Sequence, residues 1–132
     1  MKNLILSIDQ STSGTKAFLF GPDGVPLGRS DCSHRQIISP EGWVSHDPME
    51  IYSNTVKVVK AVIAKCGADK NAVAAIGISN QRETAVLWNR HTGRPVCEAI
   101  VWQCTRAAEL CRGLLEQGVD RTVRRASGLP LS

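Results

Sequence analysis

A chain of 132 residues with 42% hydrophobic and 21% charged side chains has the make-up of one soluble globular domain, long enough to bury one ordinary core. The formal charge of +4 is dispersed, with Arg121, Arg124 and Arg125 reading as a solvated helix face rather than a nucleic-acid stripe, and no apolar run has the length needed to cross a bilayer. The N-terminus carries no signal-peptide pattern, and the five cysteines are odd in number without any Cys-x-x-Cys, which argues against a disulfide framework and a zinc site and for a reduced, cytoplasmic protein. In chain order, Asn3-Leu4-Ile5-Leu6-Ser7-Ile8 is an apolar strand that enters the polar stretch 9–16, and Ala17-Phe18-Leu19-Phe20 is the returning strand. Gly21-Pro22-Asp23-Gly24 is a turn signal, so residues 25–32 are expected to form a third strand and residues 34–40 an extended segment. Residues 42–46 read as a loop carrying Trp43. Asp47 then reads as a helix N-cap, with Pro48 in the first turn and Glu50 closing a capping box. Apolar residues at helical spacing continue to about Cys66, and Gly67 ends the helix. Residues 73–79 are nearly all apolar, as a strand covered on both faces would be. Residues 84–88 read as a further strand, 100–102 as a short apolar segment, and 103–116 as a helix burying Ala107, Leu110, Cys111, Leu114 and Leu115.

Two polar segments carry candidate chemistry. The first is Asp9-Gln10-Ser11-Thr12-Ser13-Gly14-Thr15-Lys16. Its short side chains and Gly14 let the backbone approach a ligand closely, its hydroxyls and amides can donate to phosphate oxygens, and Lys16 adds a point positive charge. Asp9, where the first strand ends, is placed to hold a Mg²⁺ through its water shell, because that ion takes few carboxylates and keeps several waters. The same residues also fit a plain hairpin whose polar turn is merely solvated. There is no Gly-x-x-x-x-Gly-Lys-Ser/Thr and no Gly-x-Gly-x-x-Gly opening a helix. A phosphate turn entered through Asp between antiparallel strands resembles the actin-like ATPases, among them sugar kinases, hexokinases and heat-shock chaperones. The order of elements fits their ribonuclease-H-like α/β core, a mixed sheet with flanking helices.

The second segment is Asn80-Gln81-Arg82-Glu83-Thr84, directly after the apolar strand. Open α/β sheets bind ligands at the carboxyl ends of their strands. Adjacent Arg82 and Glu83 put a fork donor and an acceptor side by side, which suits neighbouring hydroxyls of a polyol; a surface ion pair uses the same two residues. A ribonuclease-H-like nuclease with Asp9 and Glu83 as metal ligands is a further option, weakened by the hydroxyl-rich turn and the lack of more carboxylates.

Four segments make the resemblance specific: residues 8–13, 42–51, 75–84 and 99–104. Together they resemble the N-terminal part of the glycerol kinases, within the FGGY family of carbohydrate kinases, over essentially the whole chain. Relatives such as the xylulose kinases usually carry a Gly-Gln-Met-His-Gly type segment where this chain has Asn80-Gln81-Arg82-Glu83-Thr84. The resemblance implies ATP and Mg²⁺ as cofactors, with Thr12, Ser13, Gly14 and Lys16 at the nucleotide phosphates and Asp9 at the metal. It implies Arg82 and Glu83 on glycerol hydroxyls, with Trp102 against the carbon skeleton, although Trp102 also fits a core. Ser11 stands where glycerol kinases usually have Gly, and Gly14 where they usually have Ser, which keeps a related polyol or a sugar such as xylulose open as substrate. It further implies that residues 1–132 are the N-terminal part of the first domain of a longer, homo-oligomeric enzyme, inactive alone because the catalytic Asp and the second domain lie beyond this chain. The alternative is a non-catalytic module that binds a polyol or a protein partner.

Overall fold

The computed structural model describes residues 3–132. Three strands, β1 (Leu4–Gln10), β2 (Gly14–Phe20) and β3 (Pro26–Ser33), form an antiparallel meander. Two more short strands, β4 (Ile37–Ile38) and β5 (Val44–His46), precede the helix α1 (Pro48–Lys65). A single 3-10 turn at Lys70–Ala72 leads into β6 (Val73–Ser79), which pairs parallel with β1, so the main sheet runs β3-β2-β1-β6. Then come β7 (Ala99–Ile100), α2 (Ala108–Glu116) and α3 (Val119–Ser127). A small second sheet, β4-β5-β7, stands beside the first.

Strand alternation sorts the main sheet into faces. Leu6 and Ile8 of β1 lie opposite Leu19 and Ala17 of β2, and all four are buried beneath Val58 and Val62 of α1. The helix is fixed at its start as its sequence foretells: Asp47 accepts from the Met49 amide at 2.8 Å, and Pro48 occupies the first turn. Glu50 does not close a capping box. Its carboxylate instead accepts the Arg35 amide at 2.9 Å, tying α1 to the segment that follows β3.

Four other expectations change. Residues 44–46 form β5 rather than a loop, because they pair β4 on one side and β7 on the other, which buries Ser45 and His46. Residues 84–88 make only the isolated bridges Ala85–Ile100 and Trp88–Pro95 instead of a continuous strand. The expected helix from Gln103 begins at Ala108, after two turns, and its apolar side is open, with Leu110 and Leu115 exposed. The largest difference is β6. Ile76 and Ile78 share the core face with Leu6 and Ile8 yet are 59% and 68% exposed. Within these 132 residues α1 covers β2 and β3 and makes few contacts with β1, so it does not reach β6.

Candidate functional site

Because β1 and β6 run parallel, their carboxyl ends lie side by side, with Asp9 opposite Ser79. The two polar segments leave those ends together and enclose a cleft of about 890 Å³. Asp9, Thr12, Arg82, Glu83 and Trp102 all line it, so five of the eight candidate residues, drawn from three distant stretches of chain, share one site. Ser13, Gly14 and Lys16 are not among the lining residues.

The wall formed by the turn after β1 is short and tightly held. β1 and β2 extend further than the apolar pattern indicates, leaving only residues 11–13 as the turn. The Ser11 amide and hydroxyl both donate to the Gly14 carbonyl at 2.9 Å. Gly14 is required by the neighbouring strand: a Cβ there would stand 2.6 Å from the Cys32 carbonyl oxygen. Lys16 lies opposite Asp9 in the register, and its Nζ is 3.6 Å from Asp9 Oδ2 in a partly exposed ion pair. Such a pair is loose and solvated, so Asp9 can exchange its partner for another cation.

The opposite wall is the turn after β6. Arg82 and Glu83 are both exposed to the cleft. Glu83 has φ +60°, the left-handed region, and among the described residues no other non-glycine does. Holding such a residue there costs on the order of 1–3 kcal/mol and persists only where the surroundings over-determine it. The Trp102 indole N–H donates to Thr12 Oγ1 at 2.9 Å, joining the segment after β7 to the turn after β1 across 90 positions of sequence.

Several supporting residues escaped the sequence reading. Arg106 donates from Nε to Cys104 Sγ at 3.0 Å and from Nη2 to Ser45 Oγ at 2.7 Å, and its guanidinium stacks 5.2 Å from the Trp43 ring. This fixes the segment carrying Trp102 onto β5. Burial pushes the Cys104 thiol up, but donation from the Arg106 amide and guanidinium and the Val44 amide outweighs it, leaving the thiol below its ordinary value. Behind the turn, His34 bonds Thr15 Oγ1 at 2.9 Å and Asn54 Nδ2 at 3.1 Å, and its ring lies 6.1 Å from that of His46. Burial holds both imidazoles below the ordinary histidine value; His46 lowers His34 further, while Glu50 opposes the shift in both. The only sequence signal for this network is two histidines ahead of a helix start, which is too common to read.

The pattern that defines the N-terminal domain of the FGGY family of carbohydrate kinases matches residues 4–132. The chain belongs to the FGGY family of carbohydrate kinases. Among family members, it is 45% identical over 129 residues to a glycerol kinase of Treponema denticola, covering 98% of this chain and 26% of that protein. The glycerol kinase of Plasmodium falciparum, solved with ADP, superposes with a TM-score of 0.85 at 34% identity over 99% of this chain and 26% of that one. A xyloylose kinase of Brucella ovis superposes with a TM-score of 0.83 at 26% identity over 97% of this chain and 26% of that one. The chain thus spans about a quarter of the length of the relatives it matches. The FGGY kinase neighbours also carry the mixed sheet with flanking helices expected from the order of elements. No helix among the described residues is long and apolar enough to cross a membrane.

Proposed function

We propose that this chain forms the polyol wall and part of the phosphate wall of a kinase that transfers the γ-phosphoryl group of ATP to a terminal hydroxyl of glycerol. The observation that carries the reading is the meeting of Asp9 and Thr12 with Arg82, Glu83 and Trp102 in one cleft at the ends of two parallel strands. Relatives named glycerol kinases, matched over nearly the whole chain, give the chemistry its direction.

In this reading Arg82 donates to one glycerol hydroxyl while the Glu83 carboxylate accepts from the next, and the indole of Trp102 covers the carbon skeleton. The Arg-Glu order in a left-handed turn aims both side chains from adjacent positions, which suits vicinal hydroxyls. Thr12 and the amides of the turn receive the phosphates, with Ser13, Gly14 and Lys16 supporting that side. Phosphoryl transfer asks for positioning and charge neutralisation more than for covalent chemistry, and the cleft offers donors for both.

Among the described residues there is no group of three or more His, Cys, Asp or Glu that could hold a metal by itself. Asp9 fits a Mg²⁺ that arrives with the nucleotide, because such an ion uses one or two carboxylates plus phosphate oxygens and waters. That ion would neutralise charge on the phosphates. The residue that accepts the hydroxyl proton is assigned to a part of the enzyme outside these 132 residues. The reading also places the enzyme in the cytoplasm as a homo-oligomer.

The test is steady-state kinetics on the complete gene product that carries this sequence, with glycerol, xylulose and other polyols. Glycerol is expected to give the highest kcat/KM. Arg82→Ala is expected to lower it with the fold intact, by the roughly 2–4 kcal/mol typical of stripping a charged partner from a desolvated site. Unchanged kcat/KM in that variant overturns the assignment.

A further inference from the structure

The turn that carries Arg82 and Glu83 is strained at Glu83 and exposed, so something behind it must hold its shape. β6 reaches its end with no helix over it, and the hydrogen bonds of Asn80 stay within the turn. The exception is Gln81. Its side chain leaves the turn inward, and its Nε2 lies 3.4 Å from Nδ1 of His46. His46 is 1% exposed, held in β5 opposite Ala99, which is itself fully buried. With the Gln81 carboxamide set nitrogen-inward, Nε2 donates and Nδ1 accepts, which assigns the imidazole proton to Nε2.

We propose that His46 is a positioning residue for polyol recognition, acting through Gln81 to hold Arg82 and Glu83 in the orientation that meets two adjacent hydroxyls; this rests on the glycerol-kinase reading above. Three facts converge on it. His46 is rigid, because β5 is paired on both sides. The bond is a single link across 35 positions of sequence, from the small sheet to the turn after the main sheet. Its partners have no other use: His46 Nε2 and Gln81 Oε1 are buried and make no hydrogen bond among the described residues. A buried imidazole kept with one nitrogen unpaired is costly as a packing element, since an apolar side chain of the same volume avoids that loss. A role for Nδ1 accounts for the residue. A neutral ring is also needed, because a proton on Nδ1 would oppose the Gln81 amide.

The experiment compares His46→Asn, His46→Gln and His46→Leu in the complete protein. Asn sets its amide where Nδ1 was, whereas Gln reaches only to the Nε2 position. Backbone order parameters of residues 81–83, measured by nitrogen-15 relaxation without substrate, are expected to fall from about 0.85 toward about 0.6 in His46→Leu and His46→Gln and to return near wild type in His46→Asn. The KM for glycerol is expected to rise about tenfold in the first two, with the KM for ATP unchanged. Gln81→Met tests the same link from the other end and does not touch the buried β5, so it serves if His46→Leu fails to fold. Equal behaviour of the Asn and Gln variants, or unchanged order parameters at 81–83 in Gln81→Met, overturns the proposal. So do lowered order parameters with an unchanged glycerol KM. The expected order parameters in a protein that phosphorylates no glycerol would instead indict the kinase reading, because the relaxation measurement needs no activity.

Discussion

Replacing Trp102 by Phe removes a hydrogen bond that spans the cleft while keeping an aromatic face for the polyol. The indole N–H donates to Thr12 Oγ1 at 2.9 Å, a good length for such a bond, and Trp102 is 58% exposed, so water competes for both partners. A neutral hydrogen bond in that setting contributes about 0.5–1.5 kcal/mol, which corresponds to a roughly 2- to 13-fold loss of kcat/KM for glycerol. The assay is a double-mutant cycle on kcat/KM in the complete protein, with Trp102→Phe, Thr12→Val and both together. Thr12→Val costs more by itself, since it also strips a hydroxyl offered to phosphate. The two losses should overlap by the energy of the shared bond, so the double variant falls short of their sum by about 0.5–1.5 kcal/mol. Strict additivity, within about 0.3–0.5 kcal/mol, would refute the idea that Trp102 and Thr12 work as one unit.

Asp9→Asn keeps the shape of the turn and removes the charge that the proposed Mg²⁺ site requires; turnover is expected to fall by orders of magnitude with little change in glycerol affinity, and normal turnover across a Mg²⁺ titration would reduce Asp9 to a turn residue. Gly14→Ala forces a methyl to 2.6 Å from the Cys32 carbonyl in the paired strand, so urea unfolding should show a loss of about 1–3 kcal/mol, and an unmoved midpoint would contradict the packing argument. Because burial depresses both His34 and His46, the unfolded chain binds more protons than the folded one near neutrality. Their contribution to stability is complete above pH about 6.5 and is lost as pH falls through that value toward the depressed folded ones. Thermal melts of wild type and of the His34→Asn/His46→Asn pair from pH 8 to 5 should converge on acidification, and parallel curves would exclude the two imidazoles as the cause.

The main sheet, the long helix with its Asp47 cap and both walls of the cleft were legible because their signals are local: apolar runs, a capping residue and polar segments at strand ends. What the sequence hid depends on coverage and on distant partners. The apolar run 73–79 reads as buried on both faces, but α1 lies over β2 and β3 and, within these 132 residues, leaves Ile76 and Ile78 open. Residues 44–46 alternate too briefly to announce a strand; β4 and β7 make them one. The pairing of Asp9 with Lys16 follows from a turn three residues long, whereas the apolar pattern allowed a turn of eight. His46 and Arg106 act through partners 35 and 61 positions away, which no spacing rule reaches.

The parallel pairing of β6 with β1 has a consequence for the order in which the protein assembles. The turn at residues 11–13 belongs to a hairpin whose strands are three residues apart, a local contact with little loop-closure cost. The wall bearing Arg82 and Glu83 depends on residue 73 finding residue 4, a closure of about seventy residues. The two halves of the cleft therefore differ sharply in the loop-closure entropy that forming them costs. A chain in which β1 to β3 have formed but β6 has not docked holds the turn at residues 11–13 without the wall of Arg82 and Glu83, so destabilising changes in β6 should open the cleft before they cost the core under α1.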